Sequence, residues 1–146
     1  MNKFIIKATN FKNASASLHI SLMEYKENPN LTIRDGVLQR FEFTTDLAWK
    51  TMREYLLTQG VININTPRAV LIEAFNNNII ADGEGWLQLI HDRNLVPDIY
   101  QDDDLNKIFN RLVEKHIILL DALQREFEKL LNLEISNDSN QNFKKE

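Results

Sequence analysis

Apolar residues recur along the chain three and four positions apart, the spacing that lines one face of a helix. Phe11, Leu18, Leu22 and Tyr25 share one face of a first predicted helix, from about Asn10 to Lys26, which Asn28-Pro29-Asn30 stops. A second helix begins after Thr32 and runs to about Gln59, with Gly60 as its C-terminal cap. Its main stripe is Val37, Phe41, Ala48, Met52 and Tyr55, flanked by Leu38, Thr45, Trp49 and Leu56, which makes a broad core-facing side. Phe43 and Leu47 point nearly the opposite way. A second apolar patch on one helix requires a second partner, and a homodimer or higher homo-oligomer supplies it.

Thr66-Pro67-Arg68 reads as an N-cap followed by proline in the first turn, and it opens a third helix through Phe75 to about Ile80. A fourth helix starts near Gly83, carries Trp86, Leu87, Leu89, Ile90 and Arg93, and is interrupted at Pro97. The fifth and longest runs from about Asp103 to Leu133 behind the stripe Leu105, Phe109, Leu112, His116, Leu119, Leu123, Phe127 and Leu130. The polar stretch 134–146 is expected to be a disordered tail. Long amphipathic helices with short connections predict an all-α fold, an antiparallel up-and-down bundle of four to five helices filling residues 1–133.

Composition agrees. With 4 Gly and 3 Pro in 146 residues, turn signals are too few for a many-stranded fold. The absence of Cys excludes disulfides and thiolate zinc sites and suits a reducing, cytoplasmic setting. Runs such as Ile117–Leu120 are far too short to span a bilayer, so no membrane partner is expected. The net charge of −4, with Lys and Arg scattered along the sequence, argues against broad nucleic-acid binding but leaves room for a pocket that holds one nucleotide.

Among candidate chemical groups, His116 sits within an apolar stripe and reads as a core histidine with one hydrogen-bond partner, whereas His19 lies at a helix edge. No two histidines have metal-ligand spacing, so neither a metal nor a cofactor is expected. Asp102-Asp103-Asp104 suits the start of a helix, where carboxylates cap free N–H groups and complement the helix dipole. Arg93 is more informative. It extends the stripe of Trp86 and Ile90, and a guanidinium on such a face must find a carboxylate, for example Glu42, or a ligand phosphate. Tyr100 stands seven positions beyond it, and Arg40 and Glu42 flank the main stripe of the second helix.

Three blocks carry a family likeness. Asp35-Gly36-Val37-Leu38-Gln39-Arg40-Phe41-Glu42-Phe43-Thr44-Thr45-Asp46-Leu47-Ala48-Trp49-Lys50 is followed by Thr66-Pro67-Arg68-Ala69-Val70-Leu71-Ile72-Glu73-Ala74-Phe75, then by Trp86 through Arg93-Asn94-Leu95. In order and spacing the chain resembles the nucleotidyltransferase substrate-binding family, HepT-like members of the HEPN superfamily. The resemblance implies a HEPN-like bundle, usually dimeric, encoded beside a small nucleotidyltransferase.

In toxin–antitoxin relatives of this kind the HEPN chain is a metal-independent ribonuclease with Arg, four to six residues, then His, and commonly a Tyr two residues later, which the nucleotidyltransferase adenylylates. Carried over, Arg93, Asn94 and Tyr100 fall on the family's Arg, polar residue and Tyr. Asp98 stands where the ribonuclease has its histidine. Imidazole, with a pKa of about 6.5, is poised to take a proton near neutrality, whereas a carboxylate at about 3.9 is a feeble base. The resemblance therefore implies a non-catalytic partner whose dimer groove, with Arg93, Asn94, Asp98, Tyr100, Arg40 and Glu42, holds a nucleotide or presents a substrate. The alternative is a ribonuclease toxin acting through Arg93 and Asp98 on RNA.

Overall fold

Asn2 accepts a hydrogen bond from the Phe4 N–H at 2.7 Å and so starts the first helix seven residues before the sequence pattern suggested. The structure, a computed structural model, describes residues 2–144, with side chains placed through 137. Helix α1 spans Lys3–Glu27 because Phe4 and Ala8 continue the stripe of Phe11 and Leu18 one further turn into the core. Asn30 caps α2, Leu31–Thr58, by accepting from the Ile33 N–H at 2.8 Å. The two helices form a long antiparallel hairpin, the most extensive packing in the molecule.

The end of α2 confirms the role expected of Gly60. Its φ is +85°, a conformation that costs glycine nothing, and the N–H groups of Gly60 and Val61 bond back to the carbonyls of Leu57 and Leu56. Thr66 accepts from the Ala69 N–H at 3.2 Å and Pro67 opens α3, Pro67–Asn76. That helix closes at the asparagine trio and not at Ile80. Asn78 takes φ +61°, and Ile79 and Ile80 enter the core from the following link. Asp82 caps α4, Gly83–Leu95, through the Gly85 N–H at 2.9 Å. A single 3-10 turn, Val96–Asp98, then carries the chain past Pro97.

The long last helix is not uniform. It comprises α5, Asp102–Arg111, a π-helical turn, Leu112–His116, and α6, Ile117–Lys144. The extra residue of a π turn changes the local register of the helix, while Leu123, Phe127 and Leu130 further on stay in the core as the stripe predicted. Leu120 occupies the core, while Leu119 sits at its margin. The segment 134–146, expected as a disordered tail, is helical through Lys144. Glu134 accepts from the Asn2 amide at 3.2 Å. Side chains 138–144 and residues 145 and 146 lie outside the described residues.

The helical bundle predicted from the stripes is the fold observed, with the core shared by all the helices. Phe127 of α6 packs edge-on against Phe4 and Phe11 of α1 at 5.9 and 5.4 Å. Phe43 is 41% exposed, whereas Leu47 is partly buried against the core and contributes less to an outer patch than the helical wheel suggested. Among the described residues, no helix is long and apolar enough to cross a membrane.

Candidate functional site

Two helices create the surroundings of Arg93. The side chain leaves the last turn of α4 and meets the outer side of α2, where Glu42 and Asp46 stand one turn apart. Arg93 Nε and Nη2 donate to the two carboxylate oxygens of Asp46 at 2.8 and 2.9 Å, a bidentate fork. Glu42 lies 3.8 Å from Nη1. The hydrogen bonds to Asp46 raise the guanidinium above its ordinary pKa, against the opposing effect of burial. Burial pushes the Glu42 carboxyl up, Arg93 pulls it down, and Asp46 pushes it up again. The carboxylate partner anticipated for Arg93 therefore exists, but it is chiefly Asp46. Glu42 is a secondary contact.

Arg93 and Asn94 line a concavity of about 310 Å³ together with Asp46, Trp49, Lys50 and Ile90. The other residues expected at the site fall elsewhere. Arg40 turns to α1, donating to the Ser17 hydroxyl at 2.9 Å and to the Gly36 carbonyl at 3.3 Å, and so pins the hairpin. Asp98 is exposed on the 3-10 turn, and Tyr100 beyond it is 89% exposed. Neither lines the Arg93 concavity. Proline ends the α4 register, so the seven-residue spacing that would stack Tyr100 over Arg93 in a continuous helix does not apply.

A second polar cluster lies deeper. Asp92, 0% exposed on α4, accepts from Arg111 Nε and Nη2 at 2.7 and 2.8 Å, from Gln88 at 3.0 Å and from His116 Nε2 at 2.7 Å. Burial alone would raise its pKa. The hydrogen bonds and charges of His116 and Arg111 outweigh that and hold the carboxyl well below the usual range. His116 is the core histidine expected, stacked on Phe41 at 5.7 Å, with Nδ1 left without a protein partner. The π turn carries His116 and follows directly on Arg111. Their spacing in sequence, an arginine and a histidine separated by four residues, was the available signal for this cluster, but Asp92 has no such mark.

Arg34 is a third buried charge. It donates to Asp35 and Asp102 carboxylates at 2.8 Å each and to Asn106 at 3.0 Å, tying α2 to the start of α5. Burial lowers its pKa, but the bonds to Asp102 and Asp35 outweigh that and leave it raised. The acidic run Asp102–Asp104 thus lies in the first turn as expected. However, the cap position itself falls on Gln101, which makes no side-chain cap bond, and Asp102 is turned onto Arg34. His19 is exposed and pairs with Asp121 at 2.7 Å. Among the described residues, no three His, Asp or Glu side chains are placed to hold a metal ion.

The fold and these interhelical ion pairs define an all-helical bundle whose helices are tied together by buried and half-buried charges. The chain belongs to the family described as nucleotidyltransferase substrate binding protein like, which matches residues 7–129. Among solved structures it is similar to a protein from Thermus thermophilus, with a TM-score of 0.71 and 25% identity over 80% of this chain and 98% of that one. It is also similar in fold to a Haemophilus influenzae protein whose structure is described as revealing the fold of a substrate binding domain of a nucleotidyltransferase. There the TM-score is 0.70, with 20% identity over 83% of this chain and 98% of that one. No curated protein matches the chain.

Proposed function

We propose that this chain is the non-catalytic substrate-binding subunit of a small nucleotidyltransferase encoded beside it, in a two-gene module of the toxin–antitoxin type. The observation that carries the reading is the family match across residues 7–129, which spans every block quoted above. Arg93 and Asn94 open onto a concavity at the α2–α4 edge, and a homodimer formed over the exposed Phe43 would border the same face of α2. The HepT-like, HEPN reading adds that the partner modifies this chain on Tyr100, whose exposure gives a second protein free access to the phenol.

A ribonuclease acting through Arg93 and Asp98 is less well supported. Asp98 projects from an exposed turn outside the Arg93 concavity, and the Arg93 fork is already filled by Asp46. The test is co-expression with the neighbouring nucleotidyltransferase, co-purification, and intact mass after incubation with Mg²⁺ and ATP. Stable co-purification and addition of AMP that Tyr100→Phe abolishes are expected. Failure of the two chains to associate overturns the subunit reading, and unchanged labelling of Tyr100→Phe removes Tyr100 as the acceptor.

A further inference from the structure

Next to the Arg93 groove, and sharing Trp49 and Lys50 with it, the α1–α2 hairpin forms a concavity of about 510 Å³. Lys3 and Lys7 stand one turn apart on α1, and Lys50 and Arg53 stand one turn apart on α2, all four lining it. Like charges at these spacings repel along a helix. Among the described residues, Lys3, Lys7 and Lys50 have no ion pair, unlike Lys12 and Lys107 elsewhere on the surface. Glu54 is the single carboxylate in the lining, and it sits 3.8 Å from Arg53. Arg53 is itself aimed by a 3.0 Å bond from Nε to the Ile64 carbonyl. A chain with a net charge of −4 therefore gathers a surplus of three positive charges around one partly buried indole. Lys50 Nζ lies 5.9 Å from the Trp49 ring centroid, within cation–π range.

We propose that this concavity, which adjoins the Arg93 groove and shares Trp49 and Lys50 with it, is a binding site for a free nucleoside triphosphate centred on Lys3, Lys7 and Arg53. The phosphates lie among Lys3, Lys7, Lys50 and Arg53, and the base rests against Trp49. A concavity of this size holds one nucleotide. The chemistry matches: uncompensated cations within a Debye length of one another attract a polyanion, and an indole face stacks on any base. A long nucleic acid would need the basic surface to continue beyond the concavity, and the negative balance of the whole chain opposes that.

The proposal concerns this chain alone, so its failure leaves association with a nucleotidyltransferase untouched. The test is a fluorescence titration of the full chain with ATP, supported by calorimetry. Of the two tryptophans, Trp86 is 2% exposed, so the change reports Trp49. Saturable quenching by ATP is expected, with adenosine and inorganic triphosphate each binding more weakly. The double variant Lys7→Glu/Lys50→Glu should bind roughly ten-fold more weakly or worse, because two attractions become repulsions. Lys107→Glu makes a charge change of the same sign on α5 and should stay within about two-fold. Trp49→Phe should lose the quenching and bind several-fold more weakly by calorimetry. Lys50 and Lys107 are exposed while Lys7 and Trp49 are partly buried, so circular dichroism of each variant checks that it folds. The proposal is overturned by the absence of saturable binding, by unchanged affinity in the double lysine variant, or by inorganic triphosphate binding as tightly as ATP. Loss of binding in Arg93→Ala would place the nucleotide in the other groove. Tighter binding of a single-stranded oligonucleotide with a steep salt dependence would make the surface a nucleic-acid site instead.

Discussion

Asp92 and His116 face each other at 2.7 Å across the interior, an inaccessible carboxylate and an imidazole from helices 24 positions apart in sequence. A carboxylate only accepts, so the imidazole proton lies on Nε2, and the other carboxylate contacts come from Arg111 and Gln88. The cluster holds the π turn against α4. Asp92→Ala would leave a buried imidazole and a guanidinium without their acceptor. The expected loss is about 3–5 kcal/mol, read as a lowered urea midpoint. A loss below about 1 kcal/mol would show that water replaces the carboxylate.

The same cluster sets a pH dependence. The folded-state pKa of Asp92 is depressed relative to the unfolded chain, so the unfolded state takes up the proton first. The contribution is fully present above the unfolded value of about 3.9 and is lost as pH falls toward the folded value. Below about pH 4, wild-type stability should decline more steeply than that of Asp92→Asn. Equal slopes in urea titrations would remove Asp92 as the group responsible.

Arg93 separates two carboxylates, and its removal should be felt by both. In Arg93→Ala the Glu42 pKa should rise further, since the guanidinium is the influence that lowers it while burial and Asp46 raise it. Carboxyl carbon shifts followed by NMR titration give the direction, and an unmoved Glu42 would contradict the geometry. The Arg93–Asp46 pair is partly solvent-exposed, so a double-mutant cycle should return a coupling of only about 1 kcal/mol.

Phe43 tests the proposed dimer. It presents a large apolar ring to solvent beside the Arg93 edge of α2, and Phe43→Glu should convert a dimer to a monomer in light scattering without lowering the thermal midpoint of the monomer fold. A wild-type chain that is monomeric at micromolar concentration would end the idea.

The helices and most of their ends were legible in the sequence because the forces that make them are local. An Asn, Thr or Asp side chain reaches an N–H two or three residues away, and Gly60 or Asn78 supplies a left-handed residue where the ladder stops. Burial of the stripes followed, since period alone decides which face is apolar, and even His116 could be assigned to the core from its place in a stripe. Tertiary structure decided what period and local bonding do not encode. The π turn has no mark in a continuous apolar pattern, and helical spacing from His116 allows either Leu119 or Leu120 on the core face; packing selects Leu120. Asp46 is chosen over Glu42 by where α4 crosses α2, and Asp92 finds Arg111 and His116 only once the last helix lies across α4. Trp49, Lys3 and Lys7 come together because α1 and α2 pack antiparallel. Two pairs of cations distant from each other in sequence become one charged concavity only when the hairpin closes.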